Sequence, residues 1–419
     1  MLAILYSNVG ETAQSRESGI KAYQFRQRAS GPESFSIEYS YHRNVTGNLE
    51  KAWKAASLWR SAYPRDATAF GLSSWYAANG TGRFNEGLEA ATKAVELDRE
   101  EIRNYGNRAD ILFRMDRLDE AEAEAAFALA AKHGLTAAFE HGQWYRLGIL
   151  RNSQAIMEAA IADARANSET EIAMMHIQAL DAARQGRMDQ ANRLSRRSVE
   201  LARNAGRPER AAAFLAAPAV WNAFYGYRDV ARIAAGAALK TFDGRDVSYA
   251  AGFALGLAGE ASRAEALAAK LDKAHPEDTQ VQATYVPTLR ALATRSRNDP
   301  RAAIALLEAN RRYELGIPPL AFDHYYGNMY PVYVRGLAYL AMKQGPEAVA
   351  EFKRLLDHPG HYAGDPVEAA ARFQLARAWM ATGNREEAKR AYQEVLTMWK
   401  NAGPDLPLLK QAKADSSRL

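Results

Sequence analysis

The sequence predicts an all-α fold, a right-handed α-solenoid of about ten helix–turn–helix units. Two observations lead there. A short phrase recurs along the chain: a Gly or Asp, one or two polar or acidic residues, Ala, and then a run of helix formers. Its clearest copies are Gly383-Asn384-Arg385-Glu386-Glu387-Ala388, Gly186-Arg187-Met188-Asp189-Gln190-Ala191 and Asp116-Arg117-Leu118-Asp119-Glu120-Ala121. The second observation is the spacing. The anchors Leu49, Phe84, Leu118, Ser153 and Met188 step by about 34–35 residues, the length of one helix pair. A unit that short cannot bury its apolar face alone, so successive units must stack.

This is the period of a tetratricopeptide array, and the elements follow in order. Leu5-Tyr6-Ser7-Asn8-Val9-Gly10-Glu11 reads as the end of a first helix and its turn, with the chain beginning inside a repeat and Leu2, Leu5 and Tyr6 uncovered. Helix pairs are expected around 34–62, 67–97, 102–132, 137–165, 169–204, 208–240, 246–274, 279–312, 330–357 and 367–400. Their turns fall at Gly47-Asn48, Gly80-Thr81-Gly82, Asp116, Arg151-Asn152-Ser153, Gly186, Gly226, Gly259-Glu260, Asn298-Asp299-Pro300, Gln344-Gly345-Pro346 and Gly383-Asn384. Pro64, Pro276 and Pro359 end second helices because a ring at that position cannot continue them. Gly134, Gly206 and Gly403 are expected to end others in the left-handed conformation. Small residues (Ala52, Ala121, Ala191 and Ala388 in second helices, Ala109, Ala179 and Ala376 in first helices) mark close approaches. Trp59, Tyr76, Tyr392 and Trp399 fill the complementary holes as core. The resulting division is an incomplete repeat over 1–33, an array over 34–312, a Pro- and Tyr-rich loop over 313–330, further units over 331–400 and a tail over 401–419.

Composition supports an ordered helical chain. Of 419 residues, 48% are hydrophobic and 25% charged, with only 15 Pro. The net charge of +5 is small against 54 basic and 49 acidic residues, well short of the basic stripe of a nucleic-acid binder, so no nucleic acid is expected as partner. The lack of cysteine removes disulfides, zinc–thiolate sites, iron–sulfur clusters and thiol nucleophiles. It fits a cytoplasmic location and equally permits a periplasmic one. No stretch approaches the ~20 apolar residues of a membrane span.

Motifs for chemistry are not found. Gly80-Thr81-Gly82-Arg83-Phe84-Asn85 begins like a phosphate loop, but it ends in Asn and coincides with a repeat turn. Tyr41-His42-Arg43-Asn44 has Asn44 where a kinase needs its Asp base. In His358-Pro359-Gly360-His361 the Pro-Gly pair is expected to keep the two histidines from one helix, so neither metal nor cofactor is expected. The chain is read as non-catalytic. Counting back from each turn, the first helices are expected to line a concave groove with Arg103, Asp110, Phe113, Arg114, His176, Arg184, Phe373 and Arg377. Arginines among aromatic rings suit an acidic or carboxylate-terminated protein or peptide ligand, because guanidinium binds carboxylate through two parallel hydrogen bonds.

The segments between repeats carry a more specific likeness. Tyr63-Pro64-Arg65-Asp66, Gly244-Arg245-Asp246-Val247, Pro276-Glu277-Asp278-Thr279-Gln280-Val281-Gln282, Val286-Pro287-Thr288-Leu289-Arg290 and Tyr313-Glu314-Leu315-Gly316 are involved, with the closing run from Trp399 to Lys413. Over nearly its whole length the chain resembles the tetratricopeptide regions that follow the catalytic domain in large bacterial serine/threonine protein kinases of the eukaryotic-like type, frequent in acidobacteria. Such members carry a kinase domain, and no position here matches a catalytic residue of one. The resemblance implies a docking or sensory scaffold attached to signalling. Related arrays also follow winged-helix DNA-binding domains, so the alternative is the regulatory region of a bacterial transcription regulator acting near DNA.

Overall fold

The computed structural model describes residues 2–8, 10–74, 78–118, 138–317 and 329–419. Most of the loop at 313–330, Tyr76, Ala121, Gly134 and the end of the Asp116 phrase lie outside the described residues. Among those described there is no strand, and the fold is the all-α solenoid of helix pairs that the repeat spacing predicts.

The turns carry the period. The chain takes positive φ at Gly10, Gly47, Gly82, Asp116, Asn152, Gly186, Gly226, Gly259, Asn298, Lys343 and Gly383, one for each break between paired helices. Left-handed backbone lets the first helix satisfy its last carbonyls and reverse within a few residues. At Gly186, for example, the N–H groups of Gly186 and Arg187 donate to Ala183 and Ala182 at 2.8 and 2.9 Å. Several second helices then start on a side-chain cap. Asn48 accepts from the N–H of Lys51 at 3.0 Å, Asp299 from Ala302 at 3.0 Å and Asn384 from Glu387 at 3.2 Å. In the break that the sequence places at Gln344-Gly345-Pro346, Lys343 takes the left-handed position and Gly345 is the first helical residue. Gly206 is left-handed as expected, but Gly403 is not among the positive-φ glycines; its N–H donates to the Gly186 carbonyl at 3.2 Å.

The chain forms two compact units. The first comprises the described residues of Met1–Glu171, His275–Gln282 and Arg312–Gly327, and the second Ile172–Ala274, Ala283–Arg311 and Asn328–Leu419. In the first unit, segments more than two hundred residues apart in sequence are laced together. The N–H of Thr279 donates to Gly47 and that of Leu49 to the Thr279 hydroxyl, both at 3.0 Å. Lys51 pairs with Glu277 at 2.7 Å. A side chain at Gly47 would collide with the Asp278 carboxylate. Its first helix, Leu2–Asn8, leaves Leu2 and Leu5 61% and 53% exposed.

In the second unit the first helices of five successive pairs, Pro208–Tyr225, Arg245–Leu257, Val286–Ser296, Met329–Ala341 and Val367–Thr382, pack each on the next, and the last packs back on the first. Closure explains their sequence. A helix with neighbours on every side must be apolar or small all round, and nearly all of Pro208–Tyr225 and Arg245–Leu257 is buried. Gly252 and Gly256 let Arg245–Leu257 approach Val286–Ser296; a methyl group there would lie 2.8 Å from Leu289 and 2.7 Å from Leu292. Phe224 stands at the centre, edge-on to Phe253, Tyr330 and Tyr333, with ring centroids 5.5, 5.3 and 5.2 Å away. Second helices pack outside and are half apolar: Met188–Asn204 buries Ala191, Ser195, Ser198, Val199 and Ala202 on one stripe and turns its arginines outward. Of the expected core aromatics, Trp59 in the first unit and Tyr392 and Trp399 in the second are buried. The segment read as a tail folds into a further helix, Pro407–Ser416, which buries Leu408, Leu409 and Ala412.

If Phe224 closes the ring, Phe224→Ala should lower unfolding free energy by about 3–5 kcal/mol. Ile233→Ala, at a residue 75% exposed on a second helix, should stay within about 0.5 kcal/mol of the parent. Urea unfolding followed by far-UV circular dichroism measures both.

Candidate functional site

A stacked helix pair presents its first helix inward, so the inner faces are where a ligand groove would lie. In the second unit these faces meet one another. The residues expected to line a groove divide accordingly. Asp110, Phe113, Arg114, His176 and Phe373 are buried. Asp110 accepts a hydrogen bond from Gln143 and lies 3.4 Å from Arg114 Nε. His176 stacks on Phe214 with centroids 4.3 Å apart, and Phe373 meets Tyr392 edge-on at 6.2 Å. These side chains hold helices together. Arg103 and Arg377 are exposed. Arg103 pairs with Glu101 at 2.7 Å, while Arg377 donates to the Gln374 side-chain carbonyl at 3.0 Å and lies 6.0 Å from the Phe373 ring.

Arg184 belongs to a buried ion network. Its guanidinium lies 2.8 Å from Asp181 and 3.2 Å from Glu368, and Glu368 also binds Arg372 at 3.0 Å. Burial alone would push Arg184 down, but the two carboxylates reverse the sign and raise it. Its carbonyl accepts from the Trp399 indole at 3.0 Å, and the Tyr225 hydroxyl donates to Ala183 at 2.9 Å. The sequence offers Arg184 as a ligand-binding group, whereas these bonds spend its donors on tying residues 181–186 to residues 368–399. Removing one partner of a buried pair leaves a charge uncompensated. Glu368→Ala is therefore expected to destabilise the protein by about 3–5 kcal/mol, read as a shift in the denaturant midpoint.

In the first unit the polar centre is Glu50, at the start of Leu49–Ala62. It accepts from Arg83 at 2.7 Å and from both Arg312 and the Tyr313 hydroxyl at 3.0 Å. Partial burial would raise its carboxyl, but the hydrogen bonds and charges of Arg83, Tyr313 and Arg312 outweigh that and hold it below its ordinary value of 4.5. Trp53, one turn along, lies 5.0 Å from the Arg60 guanidinium and 5.4 Å from that of Arg83. Sequence reading missed Glu50 because its partners lie 33 and more than 260 residues away.

His358 and His361 do not share a helix, as the Pro-Gly pair predicts: His358 is the non-helical residue before the turn that holds His361. Pro359 occupies the first position of a one-turn helix, Pro359–Tyr362, where its missing N–H costs nothing. The two imidazoles stand edge-on with centroids 5.8 Å apart. Gly82, in the loop that resembles a phosphate cradle, is the left-handed residue of an ordinary turn.

Because Glu50 has a depressed folded value, the stability it contributes is present above its unfolded value near 4.5 and lost as pH falls through the folded one. Glu50→Gln should therefore be less stable than the parent at pH 7. The difference should shrink below about pH 4, as measured by urea midpoints across pH.

No family model matches the chain, and no curated protein matches it. Among solved structures it is similar to yeast Tom70 (13% identity, TM-score 0.37, covering 99% of this chain and 95% of that one). It is also similar to the P58(IPK) TPR domain (15%, 0.25, 93% and 98%) and to a monomeric IFIT1 mutant bound to Gppp-AAAA (14%, 0.35, 82% and 70%).

Proposed function

We propose that this chain is a non-catalytic scaffold that binds another protein, and that it serves as the docking or sensory repeat region of a serine/threonine kinase-type signalling protein. The observation that carries the reading is the succession of helix pairs, each of which exposes a polar face of its second helix while its first helix is packed away. Units stacked in this way build a broad, regular surface from residues close in sequence, a shape suited to holding a macromolecule. The kinase association rests on the inter-repeat segments, of which Pro276–Gln282 is the most telling. Thr279 and Glu277 fasten this segment to residues 47–51, so a stretch that reads as a spacer has a structural task.

The partner is a protein or peptide with acidic character. Exposed cationic groups such as Arg103 and Arg377 are met by carboxylates from outside more readily than by further cations. Because the inner faces of the second unit are filled by Phe224, Phe253, Tyr330 and Tyr333, a peptide threaded through that ring would have to displace core. Docking is therefore assigned to exposed faces and rims.

Affinity capture with the folded chain as bait, from cells of the source organism, should recover a specific protein. Its retention should weaken as salt rises from 50 to 500 mM, because exposed charges are screened. Capture of no protein by a folded bait would refute the scaffold reading. Binding to duplex DNA with a steep negative salt slope would favour the transcription-regulator alternative instead.

A further inference from the structure

Outer helices of the second unit turn charge to the solvent. Met188–Asn204 shows Arg193, Arg196 and Arg197, and Arg385–Met398 shows Glu386, Lys389 and Arg390. The helix Arg228–Thr241 differs. Its buried stripe is Ala231, Ala235 and Ala238, while its outward face carries Val230, Ile233 and Ala237. Ile233, at 75%, is the most exposed large apolar residue among those described. One exposed isoleucine is ordinary on any protein; what surrounds this one is not.

Asp229, Ile233, Gly236 and Lys240 are spaced by four, three and four residues. At 3.6 residues per turn that spacing puts all four on one stripe, the pattern of a seam between two helices. The stripe has an acid near one end and a base near the other, with a bulky residue and a gap between them. Asp229 is 88% exposed and meets Arg232 through only one of its oxygens, at 2.6 Å. Lys240 is exposed, and among the described residues no ion pair engages it. At Gly236 nothing lies within 4 Å of the position a side chain would take. Glycine inside a helix weakens it, and no described neighbour within the chain requires one there.

We propose that a second copy of the chain packs on this face, through two Arg228–Thr241 helices running antiparallel about a two-fold axis. Pairing about the midpoint of the stripe sets Ile233 of each copy against Gly236 of the other, and Asp229 against Lys240. A two-fold contact needs a surface complementary to itself, with every pairing made twice. This stripe has that property, which an unrelated partner would not require. The glycine supplies a notch for the isoleucine and lets the helices come close. The charges fix direction, because a parallel pairing would set like against like. One pair of helices buries less than about 1,200 Å², so the dimer is weak, with Kd on the order of 100 µM. The proposal does not rest on the scaffold reading, since no other protein takes part.

Sedimentation equilibrium of the full chain from about 10 to about 500 µM, at about 50 mM salt, tests the proposal. The apparent mass of the parent should rise from 46.2 kDa toward twice that value. Ile233→Glu, at a position with no packing role within the chain, should keep the circular dichroism of the parent and weaken association at least about a hundredfold. Gly236→Gln, which fills the notch, should also weaken it. Asp229→Lys alone and Lys240→Glu alone set like charges together, and each should associate less than the parent. Mixed in equal amounts they should dimerise again, because each supplies the charge that the other lacks. The proposal is overturned if the parent stays monomeric throughout, if folded Ile233→Glu associates like the parent, or if mixing the two charge variants restores nothing. A monomeric parent that captures a cellular protein which Ile233→Glu loses would assign the face to a different partner, and overturns it equally.

Discussion

The second unit depends on the edge-on meeting of Phe224 with Phe253, Tyr330 and Tyr333. These rings come from three different inner helices and are brought together because the ring of helices closes on itself. Closure determines the rest of the unit. It makes Pro208–Tyr225 and Arg245–Leu257 buried on nearly every side. It requires Gly252 and Gly256 where Val286–Ser296 comes close, and it leaves the outer helices to meet water. It also decides what an inner-face residue can do: a side chain there is core unless it stands near an end of the ring.

Several buried polar groups that accompany closure are matched. Arg184 pairs with Asp181 and with Glu368, which also holds Arg372; Arg335 pairs with Glu351, and Tyr285 donates to Asp246 at 2.7 Å. A matched buried pair contributes little net stability but penalises any arrangement that separates its members. Such pairs therefore fix which helices are neighbours, while the aromatic core supplies the cohesion.

The fold was legible because its signal is local and repeated. Left-handed turn residues, small residues at helix crossings and capping Asn or Asp residues recur at the repeat period, and each acts within a few positions of itself. Gly383-Asn384 is a case in point, with Gly383 left-handed and Asn384 the cap of the next helix. The site was much less legible. Counting back from a turn nominates Asp110, Phe113, His176 and Phe373 as groove residues, but all four are buried, and burial against neighbouring helices is not visible in a local count. For the same reason Glu50 gave no sign of its role: Arg312 and Tyr313 are neighbours only in the folded chain.

The most direct test of this account is a double-mutant cycle between Phe224 and Tyr330, which lie on inner helices about a hundred residues apart and touch only if the ring is closed. Phe224→Leu and Tyr330→Leu should be coupled by about 0.5–1.5 kcal/mol in unfolding free energy, the range for an aromatic pair in edge-on contact. Additivity within about 0.3 kcal/mol would mean that the two rings do not meet, and that the inner face is an open groove.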